Sequence, residues 1–197
     1  MQQDDRKKLY LRSGEPKFMS IDHKAYVFDY DEFTIELKSN LEEALLTENI
    51  NYLITFIQEN ISFLKHPDRW EPLETNWEQM LVNKDAHEYG NFALTKFYDH
   101  EDCIGLSNDW REIDDLLCYE FGEGSLITLG KLLGPRDNYF DPGKMGSYFQ
   151  SPHQVQENLI WLEDTLEQRP ELLEYLISVI NMLKKASKQG KGLYITF

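Results

Sequence analysis

The chain predicts a predominantly helical α+β domain with a small sheet, and three observations carry that expectation. Apolar residues recur at three- and four-residue spacing through residues 50–64 and 155–183, the period of amphipathic helices. Short β-branched and aromatic runs, "AYVFD" near the start and "LYITF" at the end, read as strands. Helix-start chemistry precedes several periodic segments, with Ser or Asp followed three residues later by Gln or Glu.

Taken in order, residues 1–8 are expected as a flexible lead-in, "KLYLR" (residues 8–12) as a short strand and "SGEPK" as a turn. Tyr26, Phe28 and Tyr30 alternate as in a strand. Phe33, Leu37, Leu41 and Leu45 then recur every four residues, which favours a helix from about Glu32 to Leu46 capped by Asp31. The alternation of Phe33, Ile35 and Leu37 keeps a hairpin open as the alternative. Ile50, Leu53, Ile54, Ile57, Ile61 and Leu64 form one stripe, so the next helix is expected to run to Lys65 and His66 and stop at Pro67.

Trp77, Met80 and Leu81 mark a short helix from about Thr75, and Asp85 with Glu88 is a capping-box pattern for the next. Trp110, Ile113, Leu116 and Leu117 give a further helix, introduced by Ser107 or Asn108. Ser151, Pro152 and Gln154 are a cap, a first-turn proline and a capping-box partner. Val155, Leu159, Leu162 and Leu166 follow as a core stripe, and His153 is exposed. Pro170 opens the last helix, whose buried face runs from Leu172 to Leu183 and whose end gathers Lys184, Lys185 and Lys188. "LYITF" is expected to pair with a strand near the start, tying the two ends together.

At 197 residues, one domain is the default. Eleven Phe, eleven Tyr and four Trp argue against extensive disorder. No apolar run is long enough to span a membrane, and the N-terminus does not read as a signal peptide, so a cytoplasmic protein is expected. Cys103 and Cys118 are read as reduced, partly buried and inert thiols rather than a disulfide framework. The net charge of −15 opposes binding to nucleic acid or anionic membranes. No motif for a catalytic nucleophile, nucleotide loop or cofactor is present, and no cofactor is expected.

Two regions carry the functional expectations. Between Asp99 and Gly124, nine carboxylates (Asp99, Glu101, Asp102, Asp109, Glu112, Asp114, Asp115, Glu120 and Glu123) face one base, Arg111. The ordinary explanation is a solvated face. Like charges three apart, Glu112 and Asp115, nevertheless cost stability, and Arg111 to Asp115 is the one favourable pair at helical spacing. An acidic surface for a basic protein partner, of the inhibitor or immunity type, is therefore the leading expectation. Asp99, Glu101, Asp102, Asp109, Glu112, Asp114 and Asp115 would form it, joined by Trp70 from a loop.

The alternative is a metal-dependent or small-molecule enzyme, with a site formed by Asp99 to Asp102 and the loop from Tyr139 to Phe149. Asp99, His100 and Asp102 offer oxygen and imidazole ligands, though at poor spacing for one ion. Tyr139, Phe140, Lys144, Tyr148 and Phe149 would wall the pocket. "GKMG" within that loop matches the GxxG of KH domains, but on an acidic chain it reads better as a turn before a helix.

Overall fold

The computed structural model describes residues 22–122 and 124–197. The expected lead-in, the "KLYLR" strand and the "SGEPK" turn lie outside them, as does Glu123. Four antiparallel strands form one sheet in the order β2-β1-β4-β3. These are β1 (Lys24–Phe28), β2 (Tyr98–Cys103), β3 (Ser147–Gln150) and β4 (Gly192–Thr196). β1 and β4 pair from Lys24 opposite Thr196 to Phe28 opposite Gly192, so the last strand does close on "AYVFD".

Both central strands are apolar on both faces, and each face is covered. Tyr26, Phe28, Phe149 and Tyr194 point into one core, Ala25, Val27, Leu193 and Ile195 into the other. A strand with no polar face has to be covered on both sides, and helices supply the layers. The first face carries α1 (Tyr30–Phe33, a π turn Thr34–Lys38, then Ser39–Thr47), α2 (Asn51–Asn60) and α3 (Ala86–Leu94). The second carries α4 (Trp110–Phe121), α5 (Gly124–Thr128), α6 (Pro152–Gln168) and α7 (Leu173–Lys188). The fold is α+β and mostly helical, as the periodicity predicts. Among the described residues no helix is long and apolar enough to cross a membrane.

Local chemistry explains where the elements begin and end. α1 is a helix and not a hairpin; Asp29, rather than Asp31, accepts the N–H of Glu32 as its cap. Phe33, Leu37 and Leu41 are fully buried. Apolar residues spaced strictly by four drift around a 3.6-residue helix, and one wide π turn reduces that drift. α2 ends at Asn60, short of the expected His66. Buried Thr95 takes the N–H of Lys65 (3.0 Å), and Leu64 enters the core in an extended segment. A tertiary hydrogen bond has displaced the last helical turn.

α3 begins at Asp85, whose carboxylate accepts the Glu88 N–H (2.9 Å). Glu88 does not close a capping box. Its carboxylate accepts the backbone N–H groups of Val82, Asn83 and Lys84 at 2.7–2.8 Å. α4 starts later than expected, with Asp109 at the N-cap position and no side-chain cap, and Ser107 before it pairs its backbone with His23. α6 has the complete Ser151–Gln154 capping box with Pro152 in its first turn, and α7 follows a 3-10 turn, Pro170–Leu172. The sequence reading missed two strands. β2, "YDHEDC", is too polar to announce itself, and β3 is only four residues long.

Candidate functional site

β2 lies at an edge of the sheet, and its pairing with β1 is interrupted. Tyr26 faces Cys103 and Phe28 faces Tyr98, so two steps along β1 correspond to five along β2. The three extra residues form a bulge at Asp99–Asp102. Bulges and charges together blunt an edge strand against unwanted pairing, and they also re-aim side chains. Inside the bulge the Asp99 carboxylate accepts the Glu101 N–H (2.9 Å). Asp99, His100 and Glu101 are exposed, while Asp102 pairs with Lys185 of α7 at 2.9 Å.

Trp70 meets this bulge from the loop after α2. Its backbone is left-handed (φ 56°), and its half-buried ring lies 5.1 Å from Tyr98 and 5.5 Å from His100. Tyr26 continues the stack, 4.8 Å from Tyr98 and 5.6 Å from His100. Burial raises the Tyr98 and Tyr26 phenols above their ordinary value, which keeps both neutral and makes them a platform rather than acids or bases. An aromatic platform rimmed by carboxylates attracts a cation by its quadrupole and by Coulomb's law together.

The other acidic residues divide into engaged and free groups. The Asp114 carboxylate accepts the Thr128 hydroxyl and so ties α5 to α4, which removes it from any landing surface. Glu120 pairs with Arg169 at 3.4 Å. Asp109, Glu112 and Asp115 are exposed on α4, against the second face of the sheet. The expected Arg111–Asp115 pair does not form; the Arg111 guanidinium lies over the Trp110 ring at 5.4 Å. The predicted acidic residues thus occupy two elements, and Trp70 joins the part on β2.

The expected pocket is also divided. Tyr139 and Lys144 line a cleft of about 520 Å³ with His66, Asp68, His87 and Asp137. Phe140 and Phe149 are buried in the first core, and Tyr148 faces the second, edge-on to Phe197 at 6.3 Å. The reason is strand alternation: Tyr148 and Phe149 are consecutive on β3 and must point to opposite faces. "GKMG" is a turn held by Asp141, which accepts the N–H groups of Met145 and Gly146 (3.1 and 2.9 Å). His87 secures the same loop, with Nδ1 accepting the Asp141 N–H and Nε2 meeting the Asn138 side-chain oxygen, both at 3.0 Å.

β3 and β2 are opposite edges of the sheet. Three strand spacings, about 14 Å, separate them, so Asp99–Asp102 and the Tyr139–Phe149 loop do not build one site. Among the described residues, no three His, Cys, Asp or Glu side chains gather as a metal-binding set, Asp99, His100 and Asp102 included. Cys103 and Cys118 form no disulfide and are exposed, contrary to the expected partial burial. His153 is exposed and pairs with Glu157 at 3.1 Å.

His23 is 1% exposed, and only the tertiary structure shows its partners. No protein-family model, curated protein or solved structure matches the chain.

Proposed function

We propose that this protein is a non-enzymatic, cytosolic binding protein that engages a basic protein partner through the Asp99–Asp102 bulge and Trp70. The observation that carries the reading is the packing of Trp70 on Tyr98 and His100, in the middle of the most acidic strand. Exposed carboxylates would accelerate encounter with a cationic surface, and a half-buried tryptophan would hold the docked complex. The net charge of −15 favours such a partner over nucleic acid. An inhibitor or immunity-type role is one concrete form.

The test places a photo-crosslinker at position 101 and, as a control, at Leu173 on α7, then follows binding kinetics of the partner so identified. Glu101→Lys is expected to slow association severalfold at low salt, with the difference shrinking as salt screens it. Trp70→Ala is expected to speed dissociation, with a cost of about 2 kcal/mol if Trp70 is a hot spot. A cognate partner whose association ignored both charge reversal and ionic strength would refute the reading.

A second reading is favoured by the cleft beside Tyr139 and Lys144. Glu88, His87 and Asp141 hold its walls through hydrogen bonds to backbone N–H groups, and a pre-formed polar cleft suits a small ligand. A small-molecule thermal-shift screen, repeated on Asp137→Asn and Tyr139→Ala, separates this reading from the first.

A further inference from the structure

His23 joins three other parts of the chain, residues 105–110, Thr128 and Phe197. Its Nε2–H donates to the Thr128 carbonyl at the end of α5 (2.9 Å), and its Nδ1 accepts the N–H of Leu106 (3.1 Å). Its backbone exchanges both hydrogen bonds with Ser107, each 3.1 Å. The ring lies 6.2 Å from Trp110 of α4 and 5.7 Å, edge-on, from Phe197 after β4. The approach is so close that a Cβ on Gly105 would sit 2.0 Å from the His23 carbonyl oxygen. These partners permit one neutral tautomer, protonated on Nε2.

We propose that His23 is a pH-sensitive latch, whose protonation on acidification releases the segment from Ile104 to Thr128 from the second face of the sheet. An imidazolium carries a proton on both nitrogens. The Nδ1–H of protonated His23 would then meet the Leu106 N–H, two donors facing each other where water does not reach. A buried donor without an acceptor is costly, and the Leu106 N–H would lose its partner as well.

Two carboxylates favour the cation, Asp22 from the segment leading into β1 and Asp114 from α4. The Thr128 carbonyl that accepts Nε2–H also favours the cation, and Ser107, Trp110 and Phe197 add backbone and ring atoms. Burial outweighs the two carboxylates and holds the imidazole below its ordinary value. Because the folded value is the lower one, the latch contributes fully above the unfolded value of about 6.5 and is lost as pH falls through the folded one.

The released segment carries the exposed Asp109, Glu112 and Asp115 and lies outside the Asp99–Asp102 and Trp70 surface, so the latch does not rest on the binding reading. Its test needs no partner. Hydrogen exchange is measured at pH 7.5 and pH 5.0, corrected for intrinsic rates, on the wild type, His23→Gln and the control His153→Gln.

In the wild type, peptides spanning residues 104–122 and 124–128 are expected to lose at least tenfold protection at the lower pH relative to peptides of β4 and α7. His153→Gln should behave likewise, and His23→Gln should lose the difference between the two pH values whatever its baseline. If His23→Gln fails to fold, the His23 ring resonance in the wild type is titrated by NMR. Its midpoint should lie below that of an exposed histidine and coincide with the opening. Equal loss of protection across the whole chain, or a pH effect that persists in His23→Gln, would overturn the latch.

Discussion

Phe140 and Tyr139 are neighbours in sequence with opposite surroundings, and their alanine variants measure how the loop is built. Phe140 is 0% exposed; it faces Phe149 (6.4 Å between rings) and stacks on His87 (6.2 Å), and a Cβ on Gly90 would come within 2.7 Å of its ring. Tyr139 is 37% exposed and lines the cleft. Truncating a buried phenylalanine costs about 3–5 kcal/mol, from lost transfer energy and the cavity left behind. A side chain on a cleft rim costs about 0.5 kcal/mol or less. In urea, with a slope of about 2 kcal/mol per molar for a small domain, Phe140→Ala should lower the unfolding midpoint by about 2 M. Tyr139→Ala should move it by about 0.25 M at most. The assay is urea unfolding followed by circular dichroism, with the slope checked for constancy. If Phe140→Ala shifted the midpoint no further than Tyr139→Ala, Phe140 would be a wall of the cleft and the assignment of this loop to the core would fail.

Two further outcomes follow from the described contacts. Ser151→Ala removes the acceptor of the Gln154 N–H (3.2 Å) and opens the capping box of α6, so it should cost about 1 kcal/mol by the same urea assay. Cys103 and Cys118, both exposed, should each take one iodoacetamide adduct under native conditions, read by intact mass. A requirement for denaturant at either site would contradict that exposure.

How much of the site was legible in the sequence follows from which interactions are local. Asp85, Ser151 and Pro152 act within four residues of themselves, and the helix starts they mark are present. The acidic density between Asp99 and Gly124 was visible, and so was Trp70 as a loop tryptophan. Their meeting was not, because the contact joins residues about thirty apart through a bulge that no local pattern encodes. Asp114 and Arg111 looked like surface charges, yet a hydroxyl from α5 and an indole claim them. The same competition shortened α2, where Thr95 took the Lys65 N–H.

The sequence by itself determined the fold class, the helical stripes, the two central strands and the sign of the protein's field. Those properties depend on composition and on periods of two and 3.6 residues, which a single chain displays in order. The tertiary structure alone decided which acidic groups stay free, which aromatic residues face a cleft, and where the two edge strands run. It also decided that His23 is sealed between three segments. Each of these depends on a hydrogen bond or ring contact between residues far apart in the chain, and such partners are chosen only when the two faces of the sheet are covered.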